Sequence, residues 1–146
     1  MLIIGCGNRQ RGDDAAGIMV AERLRTLGIE AEMCAGESSQ LMDAWSGAAD
    51  VIVIDSVVSG APAGTLHVWN GQHPLTLGKS ASSTHSLGLG EAIELARALG
   101  CLPARLCIYG IEGKTFEIGG VPSEEVQLAV EEVSVRIAQE LKGNNR

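Results

Sequence analysis

The feature that most constrains the fold is an unbroken run of β-branched residues, Val51-Ile52-Val53-Ile54, which is followed by Asp55. A strand with one face in water alternates apolar and polar residues, whereas this run has no polar position. Such a run is typical of a strand that is buried on both faces of a parallel sheet, between two layers of helices. We therefore predict that Val51–Ile54 forms a central strand.

Strand-like and helix-like segments alternate along the rest of the chain. Four further segments have the composition of short strands, and they cover Met1–Gly5, Ile29–Met33, Gly64–Trp69 and Leu106–Tyr109. Four segments carry apolar residues at helical spacing, and they run from Asp13 to Gly28, from a cap at Ser38 or Ser39 to Trp45, through Ala92, Leu95, Ala96 and Leu99 to Gly100, and from Pro122-Ser123 to Leu141. The order β-α-β-α-β-β-α-β-α predicts one three-layer α/β/α domain over residues 1–146. Its sheet should be mostly parallel, with about five strands, one of them antiparallel.

The charge and hydropathy of the chain disfavour two classes of partner. Its net charge of −7 is unsuited to nucleic acids and to anionic membranes, which need a basic face, and a partner with a basic segment fits it better. No apolar run approaches the ~20 residues of a membrane span, and the first residues lack the basic and apolar regions of a signal peptide. We therefore expect a cytoplasmic protein that binds neither nucleic acid nor membrane.

Two residue classes bear on the core and on the redox compartment. Aromatic residues make up only 3% of the chain, so we expect a core of Val, Ile, Leu, Ala and Met. The four cysteines form no Cys-x-x-Cys pair, and they are Cys6, Cys34, Cys101 and Cys107. Cys6, Cys34 and Cys107 lie among apolar residues or beside glycine, which predicts buried free thiols in a reducing cytosol.

Three common catalytic or nucleotide-binding motifs can be tested directly. The glycine-rich segment Gly5-Cys6-Gly7-Asn8-Arg9-Gln10 lacks the third glycine of a dinucleotide-binding fingerprint. The chain contains no Gly-x-x-x-x-Gly-Lys-Ser/Thr loop and no Gly-x-Ser-x-Gly nucleophile elbow. Dinucleotide binding, P-loop chemistry and serine-hydrolase chemistry are therefore disfavoured.

Ionisable residues follow three of the predicted elements at the place where α/β sheets bind ligands. Ligands of such sheets lie beyond the carboxyl ends of the strands. Asp14 follows the loop after the first strand, Asp55 ends the central strand, and His85 precedes the third helix. Two carboxylates and one imidazole suit a divalent metal with open coordination positions, which can polarise a carbonyl and activate water. The sequence therefore predicts a metal site at this edge of the sheet.

Each of these residues also has an ordinary structural interpretation. Asp13 or Asp14 can cap a helix, and for Asp13 we favour capping. Asp55 can bond the backbone of the next loop, and His85, within a serine-rich loop, can be an ordinary loop histidine. Joint placement at one sheet edge supports the metal site more than any residue alone does. The other two histidines, His67 and His73, lie in or beside the fourth strand and are interpreted as incidental.

Four motifs resemble those of the [NiFe]-hydrogenase maturation endopeptidases. In chain order they are Gly5-Cys6-Gly7-Asn8 with Gly12-Asp13-Asp14-Ala15-Ala16-Gly17, then Val53-Ile54-Asp55, then Ser83-Thr84-His85-Ser86-Leu87-Gly88-Leu89, then Tyr109-Gly110-Ile111-Glu112. The resemblance covers nearly the whole chain in order and spacing. It implies that Asp14, Asp55 and His85 are the metal ligands.

The resemblance also implies a substrate and a cofactor. The substrate is the nickel-loaded precursor of the hydrogenase large subunit, whose C-terminal extension the enzyme removes. The nickel is carried by the substrate, and other divalent metals can occupy the site in vitro. One departure is Gly36-Glu37-Ser38, where many relatives have Gly-Thr, so Glu37 alters partner choice or adds an acid. Two alternatives stay open, a non-proteolytic nickel-sensing chaperone and another small hydrolase on a related fold.

Overall fold

The computed structural model describes residues 1–73 and 84–144, with side chains described for residues 1–73 and 89–143. The strands are β1 (Leu2–Cys6), β2 (Glu32–Cys34), β3 (Asp50–Val57), β4 (Leu66–Asn70) and β5 (Arg105–Glu112). The helices are α1 (Ala16–Thr26), α2 (Ser38–Trp45), α3 (Thr84–Ala98) and α4 (Glu124–Asn144), and a 3-10 turn at Gly12–Ala15 precedes α1.

The strands form one five-stranded sheet in the order β2-β1-β3-β5-β4. β3 lies at its centre, and its pairs with β1 and β5 are both parallel. β4 is antiparallel to β5, beside which it lies at the edge of the sheet. The predicted architecture and the central position of Val51–Ile54 are therefore confirmed.

The two faces of β3 explain its lack of polar residues. Ile52 and Ile54 pack into the apolar cluster under α1 and α4, whereas Val51 and Val53 pack into the cluster under α2 and α3. All four side chains are at most 3% exposed. Each contributes about 1.5–3 kcal/mol by leaving water. Both faces of the sheet are thus covered, as in a three-layer α/β/α fold.

The composition of the core differs from the prediction in its large residues. Trp45 and Tyr109 are at most 2% exposed and are among the largest fully buried side chains. Methionine, which the composition predicts in the core, is not fully buried anywhere in the described residues, although Met19, Met33 and Met42 pack against its margin. A small number of aromatic residues therefore says little about where they lie, because each one buries a large area.

Two details of the predicted helices are wrong. In α3, Ala92 and Ala96 are buried as predicted, but Leu95 and Leu99 are 44% and 65% exposed. Leu89 and Ile93 complete the buried face of the helix in their place. In α2, Ser38 is the first helical residue and no side chain caps the helix. The element bounds shift by a few residues elsewhere, as is usual at element ends. No helix in the described ranges is long and apolar enough to span a membrane.

Candidate active site

Asp14 and Asp55 lie together at the carboxyl edge of the sheet. Asp14 is in the 3-10 turn after β1, and Asp55 is in β3, which continues two residues further than predicted. Their residues are 8% and 2% exposed. Both line one open cleft of about 520 Å³, whose other walls are formed by Gly7, Asn8 and Arg11, by residues 35–39, and by Glu91 of α3. We call Asp14 and Asp55 the acid pair, and this space the cleft.

Ser56 connects the two carboxylates. Its hydroxyl donates to Asp14 Oδ1 at 3.0 Å, and its backbone N–H donates to Asp55 Oδ1 at 2.8 Å. Ser56 itself is fully buried. No motif in the sequence identifies this residue, and its only signal is its position directly after Asp55. Ser56 fixes the orientation of both carboxylates at the bottom of the cleft.

The electrostatics of the acid pair favour a positive ligand. Burial, and then the negative charge of Asp14, raise the pKa of Asp55 well above its usual value, although the Ser56 N–H opposes the shift. Glu37 and Glu91 add two carboxylates to the lining, and Arg11 is the one cationic side chain among the described residues that line it. A proton or a metal cation in the cleft relieves the repulsion between these carboxylates.

Two glycines let the turn that carries Asp14 approach the sheet. A Cβ at Gly7 would overlap the Asp14 carbonyl oxygen, and its φ of +142° also disfavours any other residue. A Cβ at Gly17 would overlap the carbonyl oxygens of Cys6 and Ile54. The glycines of the first motif therefore set the close packing of α1 against the strand ends, which brings Asp14 beside Asp55.

Asp13 has a different role from its neighbour, and its predicted capping role is wrong. α1 begins after Ala15 without a side-chain cap. The Asp13 carboxylate instead accepts the backbone N–H groups of Lys114, Thr115 and Ser123 at 2.6–3.1 Å, together with the Ser123 hydroxyl. Burial raises the pKa of Asp13, but these hydrogen bonds outweigh it and the net shift is downward. Asp13 therefore fastens the segment between β5 and α4 to the turn after β1.

The third predicted ligand, His85, belongs to the first turn of α3, and its side chain lies outside the described residues. Among the residues whose side chains are described, no three His, Cys, Asp or Glu are grouped closely enough to hold a metal ion. The acid pair thus supplies two neighbouring carboxylates, and the three-ligand site stays a prediction.

Another buried carboxylate, Glu112, has a structural role that the sequence did not predict. Glu112 ends β5 at 1% exposure and accepts the N–H and hydroxyl of Ser59 at 2.8 and 2.6 Å. His67 Nε2 lies 3.1 Å from the same carboxylate, and the His67 ring stacks on Trp69. The interpretation of His67 as incidental is therefore wrong. This cluster fastens the β3–β4 loop to the sheet.

Comparisons with known proteins point to one family. A model of the hydrogenase maturation protease family, HycI, matches residues 34–140. The hydrogenase expression/formation protein HupD of Thiocapsa roseopersicina is 29% identical over 118 residues, which are 77% of this chain and 53% of HupD. The hydrogenase 2 maturation protease of Escherichia coli strain K12 is 27% identical over 143 residues, which are 91% of this chain and 87% of that protein.

The solved structures that resemble the fold include the [NiFe] hydrogenase maturation protease HybD from Thermococcus kodakarensis. Its TM-score is 0.76 at 25% identity, and the match covers 96% of this chain and 97% of that one. The chain spans about half the length of the Thiocapsa relative, and most of the length of the Escherichia coli and Thermococcus proteins.

Proposed function

Because the chain belongs to the hydrogenase maturation protease family, we propose that it is an endopeptidase that removes the C-terminal extension of a [NiFe]-hydrogenase large-subunit precursor. The observation that carries the proposal is the acid pair, two buried carboxylates side by side at the bottom of an open cleft. Family membership supports the peptidase activity, and the acid pair supports the cleft as the place where the peptide is cut. We propose that the protein acts in the cytoplasm, which agrees with its four free thiols.

The chemistry of the cleft fits a divalent ion that arrives with the substrate. Asp14, Asp55 and His85 would contribute two carboxylates and one imidazole, a ligand set that borderline metals such as nickel accept. Three ligands from separate segments leave coordination positions open and lack the thiolates of a closed structural zinc site. We propose that they bind the nickel that the precursor already holds through its own soft ligands. The nickel is then part of the substrate and a signal that it is ready for cleavage.

The residues of the cleft would position the precursor for amide hydrolysis. The acid pair holds the metal-bearing end of the precursor, and the metal supplies Lewis acidity to the scissile carbonyl. One of the two carboxylates takes a proton from the attacking water, as general-base catalysis requires. Gly7 and Gly36, which lack side chains, let an extended peptide approach the backbone of the cleft closely.

The test separates the metal of the substrate from any metal of the enzyme. Metal-stripped enzyme is mixed with nickel-loaded precursor, nickel-supplied enzyme is mixed with nickel-free precursor, and the masses of the products are measured. We expect the precursor to lose its extension only in the first mixture. The Asp55→Asn enzyme with nickel-loaded precursor controls for contaminating proteases, and it should give no product.

Three other outcomes would each contradict part of the proposal. Equal cleavage in both mixtures would mean an ordinary metalloprotease that carries its own ion. Binding of the nickel-loaded precursor without cleavage would indicate a nickel-sensing chaperone. Failure to bind or cut either precursor, together with hydrolysis of unrelated peptides, would indicate a different small hydrolase.

A further inference from the structure

Two cysteines face each other at the ends of adjacent strands. Cys6 ends β1 and Cys34 ends β2, and the two residues are direct partners in the parallel register. Their sulfur atoms are 3.5 Å apart. Neighbouring strands lie about 4.7–4.9 Å apart, and disulfides join Cα atoms at about 4.4–6.8 Å, so the backbone spacing already suits a disulfide bond.

The pair lies where two walls of the cleft begin. Cys6 directly precedes Gly7 and Asn8, and Cys34 directly precedes the wall formed by residues 35–39. The two walls are tied to Cys34, because its carbonyl oxygen accepts the Gly7 N–H at 3.1 Å and its sulfur accepts the Gly36 N–H at 3.4 Å. A change at the Cys34 sulfur is therefore transmitted directly to the wall that contains Gly36.

The two thiols differ in exposure and in acidity. Cys34 is partly exposed, whereas Cys6 is fully buried. The hydrogen bond from Cys6 and the Gly36 N–H outweigh burial and the charge of Glu32, and they lower the pKa of Cys34 to about 7. The same hydrogen bond, burial and the negative charge of Asp55 raise the pKa of Cys6. The accessible thiol is thus the nucleophile, and the buried one is placed to resolve its oxidised form.

We propose that Cys6 and Cys34 are an oxidation site beneath the cleft, which peroxide converts to a disulfide that lowers processing of the precursor. The thiolate of Cys34 attacks one peroxide oxygen, the O–O bond breaks, and the Cys34 sulfenic acid forms while hydroxide leaves and is protonated to water. The Cys6 thiol then attacks the Cys34 sulfur, and the S–O bond breaks. The second hydroxide leaves as water with the Cys6 proton, so two thiols reduce one peroxide to two waters.

The disulfide lowers processing because it moves the Cys34 sulfur, which accepts the Gly36 N–H at one wall of the cleft. The sulfur atoms must close from 3.5 Å to about 2.05 Å. The Gly36 N–H either follows the Cys34 sulfur or loses its hydrogen bond to it, so the wall formed by residues 35–39 is displaced at Gly36. A displacement of this size costs up to about a hundredfold when it misplaces groups that orient a substrate. The effect on processing rests on the function proposed above, whereas formation of the disulfide does not.

Trypsin places each cysteine in a different peptide, which makes the pairing directly measurable. Cleavage after arginine and lysine gives peptides 1–9, 26–79, 98–105 and 106–114, with one cysteine each. The full-length protein is treated with one equivalent of hydrogen peroxide, its remaining thiols are alkylated, and its peptides are weighed. We expect a cross-link between peptides 1–9 and 26–79, a loss of ~2 Da that dithiothreitol reverses. Cys101 and Cys107 should be alkylated instead.

Matched variants then separate the pair from the other thiols. Cys34→Ser should abolish the cross-link, whereas Cys101→Ser, at an exposed position, should leave it unchanged. Cys6→Ala should also abolish the cross-link, and it places no hydroxyl at the buried position of Cys6. Oxidation of Cys34 to sulfinic acid without a cross-link, or a cross-link through Cys101 or Cys107, would overturn the proposal.

The processing rate tests the second half of the proposal. Oxidised wild-type protein should cut nickel-loaded precursor at least about tenfold more slowly than the reduced protein, with recovery after dithiothreitol. The Cys34→Ser protein should cut the precursor at the same rate before and after peroxide treatment. A cross-linked protein with an unchanged rate would refute the effect on the cleft. If the reduced protein cuts no precursor at all, the proposed function is wrong. Formation of the disulfide is then still tested by the masses of the peptides.

Discussion

Asp13 and Asp14 are adjacent in sequence, and the fold gives them opposite surroundings. Asp13 is fully buried and is surrounded by backbone N–H groups and a hydroxyl from residues 114–123. Asp14 accepts the Ser56 hydroxyl and lines a cleft beside a second carboxylate, Asp55. One carboxylate thus faces donors that stabilise its charge, whereas the other shares its surroundings with a like charge.

A structural acid and a functional acid differ in whether the fold stabilises their negative charge. Hydrogen bonds to the ionised form of Asp13 stabilise the fold and lower the pKa of this carboxyl group. Burial next to Asp14 makes the charge of Asp55 a cost for folding, and the pKa of Asp55 is raised. A fold keeps such a costly group where its function needs it. Removal of the charge should therefore lower the stability of the fold at Asp13 and raise it at Asp55.

Asp55→Asn should give the largest effect, and it should separate stability from activity. The amide keeps the oxygen that accepts the Ser56 N–H but removes a metal-binding charge, so processing should fall by about a thousandfold or more. The pKa of Asp55 is higher in the folded protein than in the unfolded chain. The free energy of unfolding of the wild type therefore decreases as the pH rises through the folded pKa. The variant should therefore unfold at a higher temperature than wild type at neutral pH. Thermal unfolding and the rate of precursor cleavage measure both effects.

A lower unfolding temperature at neutral pH would contradict this account of Asp55. The matched control is Asp50→Asn in the same strand, where the carboxylate lies 3.9 Å from Arg105 near the surface. An exposed pair of this kind contributes about 0–1 kcal/mol, so Asp50→Asn should change neither property much.

Asp13→Asn should show the reverse pattern, with a loss of stability and little loss of activity. The amide cannot accept all the donors that the carboxylate binds, and we expect a loss of about 2 kcal/mol of unfolding free energy at neutral pH. Because the folded pKa of Asp13 lies below its ordinary value of 3.8, the wild type loses this contribution as the pH falls through that lower pKa. Urea unfolding at several pH values should therefore show the two proteins converging in acid. Parallel curves would contradict the assignment.

Glu37→Gln should give the smallest effect and decide between the two roles left open for this residue. Glu37 is exposed on the wall of the cleft and lies next to Gly36. If it selects the partner, the variant should change KM for the precursor by less than about tenfold and leave kcat unchanged. A fall in kcat comparable with that of Asp55→Asn would make Glu37 part of the catalytic group.

The fold was largely predictable, because its strongest constraint is local. The β-branched run of β3 indicates burial on both faces without any knowledge of its neighbours. The helical face of α3 was not predictable in the same way. Leu95 and Leu99 fit a helical stripe, but the layer packed against α3 selects Leu89 and Ile93 instead. Periodicity gives the type of element, whereas tertiary packing decides which side is buried.

The site was predictable only where topology determines position. Asp14 follows β1 and Asp55 lies near the carboxyl end of the parallel strand β3, so the rule that ligands bind at the carboxyl ends of such strands is enough to place them together. The partners of Asp13 are 101 to 110 residues away in sequence, and no local pattern indicates such contacts. The cluster of Glu112 with His67 depends in the same way on the antiparallel edge strand. Long-range hydrogen bonds, rather than the choice of elements, account for what the sequence did not reveal.

Asp13→Asn and Asp14→Asn, compared in one assay, show directly whether Asp14 acts in cleavage while Asp13 acts only in folding. Both variants are incubated with nickel-loaded precursor at a temperature at which circular dichroism shows each to be folded, and the processed large subunit is measured by mass. We expect no product from Asp14→Asn and a rate within about threefold of wild type from Asp13→Asn. Wild-type cleavage by folded Asp14→Asn, or no cleavage by folded Asp13→Asn, would contradict this division of roles.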